Sequence, residues 1–271
     1  MRSRFADPGG FRFAQTAAAP DAFRVWTWAA GAPAGARAYG RPRGLWGGAI
    51  LLKSKNLIVR HTHDDDIPEL IRLQQRVYPN IPPWTRAKLA NQLEVFPAGQ
   101  LTAECEGEVV GCASSLVVLW DDWADAHSWK EITAAGTFDN HDPEGRTLYG
   151  AEVFVAPEMR GSGLGHLLYE GRRTLCREMN LKRIIACGRL PGYHRYADEM
   201  DGEMYAKRVL WGDFHDPVLS FQLREGFRYC GVVEDYIPED TESRGYASII
   251  VWLNPDYDPH KPTQVKQEEV L

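Results

Sequence analysis

The chain contains no apolar run approaching the 18 residues of a membrane-spanning helix, which argues against a helical membrane protein. It has five cysteines, at 105, 112, 176, 187 and 230, and no C-x-x-C pair. An odd count without that spacing speaks against a disulfide framework, a zinc ribbon or a dithiol redox centre. Most of the five lie in apolar stretches and read as reduced core residues of a cytoplasmic protein. The body of the chain also lacks an excess of basic charge. Residues 57–271 hold 22 Lys and Arg against 35 Asp and Glu, a net of −13. That balance argues against a nucleic-acid footprint and favours a cationic substrate. Acids are scarce only in residues 1–56, with nine Lys and Arg against two Asp and Glu, a net of +7.

This basic head is rich in Ala, Gly, Arg and Pro and has little periodicity. An organelle transit peptide has that composition, and so does translation from an upstream start. The expectation is a disordered extension without a targeting role, outside the fold. The rest of a 271-residue chain with 44% hydrophobic residues suffices for one sizeable core, with insertions or a tail.

What is present is concentrated in Val155-Ala-Pro-Glu-Met-Arg160-Gly-Ser-Gly163-Leu-Gly165. An apolar strand runs into a glycine-rich turn carrying one arginine, and an apolar-periodic helix begins at once. Gly161, Gly163 and Gly165 let the backbone turn sharply and approach a ligand. The first N–H groups of the helix have no intrahelical acceptors and converge on an anion, with the charge of Arg160 beside them. A Walker loop needs Lys-Ser or Lys-Thr after its last glycine, which this loop lacks. A dinucleotide fingerprint counted from Gly161 would need glycine where His166 stands.

Along the chain, residues 57–60 read as a strand, followed by a helix over about 65–78 capped by Thr62 or Asp64 and stopped by Pro79. A second helix covers about 85–95. Strands at 101–106 and 109–119 form a hairpin across Glu106-Gly107. Residues 120–145 are an acidic insertion with three tryptophans. Thr147 to Val155 is the strand that feeds the loop, the next helix stops at Asn180, and Arg183 to Cys187 is a strand. Residues 189–215 are a second insertion. Asp216 to Glu225 is a helix ended by Gly226, and 228–233 and 247–253 are the last strands. A polar, loose tail, 255–271, follows the domain at 57–254.

The pattern V-x-P-x-x-R-G-x-G-x-G resembles motif A of the GNAT (general N-acetyltransferase) superfamily, and the order of elements over residues 57–254 matches that family. Asp216-Pro-Val-Leu-Ser-Phe-Gln-Leu-Arg-Glu-Gly-Phe227 is similar to its next motif. The resemblance implies an α/β (α+β) fold: a mixed sheet of about seven strands, helices on both faces and a splayed central strand pair. It implies acetyl-coenzyme A as co-substrate, no metal, and acetyl transfer to a primary amine of a small molecule or protein. Arg160, Gly161, Ser162, Gly163, Leu164 and Gly165 would hold the pyrophosphate, with Phe154 and Val155 offering backbone groups to the pantetheine arm. Asp216 stands where the family often has a cofactor-contacting asparagine.

Arg189-Leu-Pro-Gly-Tyr193, Asp216-Pro-Val-Leu-Ser-Phe and Trp252-Leu-Asn-Pro-Asp-Tyr257 narrow the resemblance to a GNAT domain often fused to nitrilase-type carbon–nitrogen hydrolases. With the chain ending at Leu271, a fused hydrolase is not expected. The expectation is a domain acting alone, as a homodimer or with a separate hydrolase, without nucleic acid or membrane.

Glu152 is the candidate base. A carboxylate in a strand apolar on both faces is costly unless paired or functional, and desolvation raises its pKa towards useful base strength. The alternative is a buried glutamate satisfied by its neighbours. The family's usual acid, a tyrosine four residues before the Gly of Gly-Phe, is replaced by Gln222, which leaves a catalytically weak acyl-coenzyme A-binding module as the rival. Tyr193, Tyr196 and Tyr205 are alternative acids, each also readable as packing. His194, Asp198, Glu199, Asp201 and Glu203, with Asp121, Asp122 and Asp125, would rim the acceptor side or form ordinary solvated loops. His61-Thr-His63-Asp-Asp-Asp66 reads as helix capping rather than a metal site, and Asn140-His141-Asp142 as a turn.

Overall fold

The computed structural model describes residues 57–124 and 127–263. The expectations placed on residues 1–56, on Asp125 and on the tail beyond 263 lie outside the described residues. Seven strands form one mixed sheet in the order β1-β2-β3-β4-β5-β7-β6: Leu57–His61, Gln100–Cys105, Glu108–Val118, Thr147–Val155, Arg183–Arg189, Arg228–Val233 and Ala247–Leu253 for β1 to β7 in chain order. The helices are α1 Ile67–Val77, α2 Arg86–Val95, α3 Trp129–Ile132, α4 Leu164–Glu178, α5 Gly202–Leu210 and α6 Leu219–Arg224.

Local chemistry sets most boundaries. Glu106 and Gly107 both have positive φ, 53° and 87°, the left-handed pair that a two-residue hairpin needs between β2 and β3. Thr85 caps α2 by accepting from Lys88 N–H. The cap ahead of α1 differs from the expected one. Asp66, rather than Thr62 or Asp64, accepts from His63 N–H at 2.8 Å and is clamped by Arg60 at 2.7 and 2.8 Å. Helix α4 ends where Asn180 turns left-handed, at φ 51°. The Asn180 side chain then bonds the backbone of Asp258 and Lys261, so residues 255–263 are docked where a loose tail was expected.

All pairings are antiparallel except β4 with β5. That parallel pairing covers only Thr147–Gly150 against Arg183–Ala186. Beyond it β4 continues to Val155 beside β3, and β5 continues to Arg189 beside β7. The two strands have separated, and a gap opens between their inner edges.

A bulge accompanies the separation. Ser114 pairs with Glu152 but Ser115 with Gly150, so Ala151 is an extra residue on β4. Because side chains alternate, one extra residue reverses which face the rest of β4 presents. Ser115 faces α4, whose Arg172 reaches its Oγ at 3.0 Å. Cys112 and Ser114, of opposite parity, face away, and with them their partners Phe154 and Glu152. Tyr78, at the end of α1, packs on Phe154 from that other face. Without the bulge Glu152 would point at α4.

Arg172 is fully buried and satisfies carbonyls that the bulge leaves unpaired, donating to Ser114 O at 2.8 Å and to Glu152 O. Gly150 leaves the room, since a Cβ there would lie 3.2 Å from Arg172 Nη1. Cys105, Cys112 and Cys176 are buried as expected of core residues, whereas Cys187 is half-buried and Cys230 exposed. No helix among the described residues is long and apolar enough to cross a membrane.

Candidate functional site

The gap has a loop end, built from backbone, and a face built from side chains. On β4 the Ala156 N–H donates to Val110 O of β3 at 2.8 Å, so along this edge every second residue turns its polar groups the same way. Phe154 is one of these. Its carbonyl lies 2.8 Å from the Cβ position of Gly111 on β3, so its backbone is engaged and not offered to the gap. Val153 and Val155 turn their N–H and C=O groups into the gap instead. The expected pair of Phe154 and Val155 is thus corrected to Val153 and Val155.

At the end of the gap, Pro157–Met159 make one 3-10 turn that leads into Arg160. Gly161 and Gly163 have φ of 77° and 88°, and nothing stands within 4 Å of a Cβ placed on either. Conformation, not crowding, demands glycine there. Ser162 turns inward, its N–H and Oγ both donating to Met159 O. The first α-helical bond runs from Leu167 N–H to Gly163 O, which leaves the N–H groups of Gly163, Leu164 and Gly165 without an acceptor among the described residues. Arg160 and Gly161–Gly163 are exposed, while the Leu164 side chain is in the core. Gly165 also serves packing: a Cβ would come 3.1 Å from Phe221 of α6.

Asp216 does not fit the cofactor role expected of it. It is 0% exposed. One carboxylate oxygen accepts from Val218 and Leu219 N–H, both at 2.9 Å, and the other from Gly192 N–H and Tyr205 OH, both at 3.0 Å. Four donors saturate it, and it anchors the 189–215 segment to the start of α6.

On the side-chain face, Glu152 is half-buried. Burial raises its carboxyl pKa above the ordinary value, while Tyr78 OH at 3.1 Å, Val153 N–H at 3.0 Å and the charges of Arg189 and Arg172 oppose that rise. Arg189 lies over the Tyr78 ring at 5.3 Å and is gripped by Asp240 at 2.6 and 2.5 Å and by Glu242 at 3.0 Å. The wall continues through Cys187, whose Sγ is 3.7 Å from His127 Nε2, and the hydroxyl pair of Tyr149 and Tyr236 at 2.5 Å.

The other expected residues lie elsewhere. Tyr193 OH donates to Met200 O at 3.1 Å, Tyr205 OH to Asp216, and Tyr196 stacks on Phe214, so all three pack the 189–215 segment. That segment contains a helix, α5, which the sequence reading did not place. Asp201 caps it through Met204 N–H, and Glu203 accepts from Tyr229 OH on β6, the outer strand. These acids lie by the sheet's edge and do not rim Glu152. Gln222 is buried under β5, where a Cβ on Gly188 would meet its Oε1 at 2.3 Å, and its Nε2 donates to Tyr169 OH. His141 accepts from Val117 N–H at 3.0 Å and stacks on Phe96, and burial depresses its pKa to about 4. Among the described residues no three His, Cys, Asp or Glu side chains converge as a metal site. Tyr78 and Asp240, central here, carried no sequence signal, because a helix-end tyrosine and an acidic loop residue look ordinary until the fold joins them.

A mixed sheet with a bulged, separating central pair and a glycine loop at the gap's end defines an acyltransferase of the GNAT type. A profile described as the acetyltransferase (GNAT) family matches residues 67–197. Over 211 residues the chain is 35% identical to YkwB of Bacillus subtilis (strain 168), described as an uncharacterized N-acetyltransferase, covering 76% of this chain and 92% of that protein. It is 44% identical over 207 residues to the probable hydrolase YhcX of the same organism, covering 76% of this chain but spanning only 40% of that longer protein. A solved GNAT-like decarboxylase, GphF in complex with isobutyryl-CoA, superposes with a TM-score of 0.65 at 25% identity, covering 73% of this chain and 99% of that one. The chain belongs to the GNAT acetyltransferase family.

Proposed function

We propose that this enzyme transfers an acetyl group from acetyl-coenzyme A to a primary amine. The reading rests above all on the backbone groups that line the gap from Val153, whose N–H and C=O meet only the side chains of Glu152 and Tyr78, through Val155 to the N-terminus of α4. They offer polar contacts to a pantetheine arm and then an anion cradle to a pyrophosphate. Arg160 adds a charge at the cradle's rim. A thioester carbonyl in the gap would accept from the Val153 N–H in place of Glu152 Oε1, which accepts it at 3.0 Å in the free protein, and this stabilises the oxyanion as the amine attacks. Glu152, on the acceptor face, takes the amine proton. The acidic body favours a cationic acceptor.

Isothermal titration with acetyl-coenzyme A tests the cofactor. Binding in the micromolar range is expected, and absence of binding to acetyl- and longer acyl-coenzyme A removes the reading. Glu152→Gln is expected to lower kcat by about 10²- to 10⁴-fold, the usual worth of a general base, while keeping cofactor affinity. Retained turnover in that variant assigns Glu152 to structure instead.

The likeness to part of a larger protein named as a hydrolase supports a second reading, in which this domain works beside a separate hydrolase. Co-purification of such a hydrolase at stoichiometric level supports it, and a chain that runs alone at endogenous concentration removes it.

A further inference from the structure

With Gln222 in place of the family's usual acid, something else must protonate the departing sulfur. An amide is a poor proton donor, and Gln222 is buried with its Nε2 donating to Tyr169 OH at 3.2 Å. Tyr193 and Tyr205 spend their hydroxyls on Met200 O and Asp216, and Tyr149 and Tyr236 bond each other. We propose that Tyr78 is the general acid of the transfer, coupled to Glu152 as one proton relay and positioned by Arg189. The proposal rests on the acyl-transfer reading above.

Three observations carry it. First, the Tyr78 hydroxyl reaches both the candidate base, 3.1 Å from Glu152 Oε1, and the free edge of β4, 3.5 Å from Val153 O. It therefore borders the part of the gap where a thioester held by Val153 would lie. Second, the ring is fixed on two sides: edge-on to Phe154 with centroids 6.2 Å apart, and beneath the Arg189 guanidinium, itself locked by Asp240. A cation over the ring stabilises the phenolate that forms for a moment when the proton leaves. Third, burial and the Glu152 charge hold the phenol pKa well above its ordinary value against the lowering by Arg189. The hydroxyl stays protonated at neutral pH, and its proton moves to the departing sulfur only together with the return of a proton from Glu152.

The step balances. The amine nitrogen bonds to the thioester carbon, the C–S bond breaks, and the sulfur leaves with the electron pair. Glu152 takes the surplus proton from nitrogen, and Tyr78 gives its own to sulfur. The phenolate then recovers a proton from Glu152 across their hydrogen bond. One proton has moved from nitrogen to sulfur, and both side chains are restored.

The decisive test needs no knowledge of the acceptor. Coenzyme A is bound stoichiometrically to the wild type and to Tyr78→Phe. Its thiol is titrated by thiolate absorbance, with the S-methyl-coenzyme A complex as reference so that protein cysteines cancel. A phenol donating to the sulfur favours the thiolate, so the bound thiol should titrate about one to two pH units higher in Tyr78→Phe. Tyr193→Phe, a packing change, should leave the titration where it is. Equal titration of wild type and Tyr78→Phe, with coenzyme A bound to both, overturns the role of Tyr78 and leaves the acyl-transfer reading standing. Failure of the wild type to bind coenzyme A removes both. The Phe variant keeps the ring on Phe154, and thermal unfolding confirms that it is folded. With any amine that supports turnover, the same variant should lower kcat by about 10²- to 10⁴-fold at unchanged KM for acetyl-coenzyme A. An unchanged kcat counts against the relay.

Discussion

The two sides of the gap are built by different means. The donor end is one continuous stretch, from Val153 through Gly165, and it offers mainly backbone groups. The face proposed to receive the acceptor is assembled from side chains that are distant in sequence: Tyr78, Glu152, Arg189 and Asp240. A backbone site depends on local conformation, so its requirement is written as glycines at fixed spacing. A side-chain site depends on which segments the fold brings together. The donor end should therefore fail by losing affinity, the acceptor face by losing turnover, and the anchors beneath them by losing stability.

The largest effect on stability is expected at Asp216. Replacing it with alanine leaves four donors, three of them buried, without their acceptor, at a cost of about 3 kcal/mol or more. Urea unfolding measures this. A variant of wild-type stability that has lost acetyl-coenzyme A would return Asp216 to the donor end.

At the loop, Gly163→Ala puts a side chain at φ 88°, which costs roughly 1–2 kcal/mol of local strain. The Cβ meets nothing in the free protein, so affinity for acetyl-coenzyme A should fall about tenfold or more with little change in fold. A calorimetric Kd equal to the wild type's would move the pyrophosphate away from this loop. Arg160→Ala removes an exposed charge and should weaken binding by about fivefold, an effect that shrinks as salt is raised. Insensitivity to salt in the wild type would separate Arg160 from the anion.

The smallest effect lies outside the gap and serves as a control on the anchors. His141 must stay neutral to accept from Val117, and its folded pKa of about 4 is below the ordinary 6.5. The unfolded chain binds the proton more readily, so this contribution is complete above about pH 6.5 and is lost as pH falls towards 4. His141→Gln should flatten the pH dependence of the thermal midpoint in that window. The same slope in both proteins would show that His141 does not report it.

Much of the fold was legible because its determinants are local. The Glu106-Gly107 hairpin, the stop at Asn180 and the strand leading to the loop each follow from a few adjacent residues. Where several partners compete for one group, a local pattern does not identify which one wins. Asp66 took the cap expected of Thr62 or Asp64 because Arg60 and His63 converge on it. Asp216 resembled a cofactor contact because only the fold places Gly192 and Tyr205 against it. Phe154 and Val153 cannot be told apart along the chain, because nothing in the residue string reveals which edge of a strand is free.

The amino-acid sequence by itself determined the family, the order of elements and the glycine loop, since periodicity, caps and left-handed turns act over a few residues. Only the tertiary structure decided that Glu152 faces away from α4 and that Tyr78 meets it. The face depends on one extra residue at Ala151, which reverses the alternation of β4. That reversal exists only because β3 and Arg172 of α4 absorb the bulge, an interaction between segments that no local pattern contains.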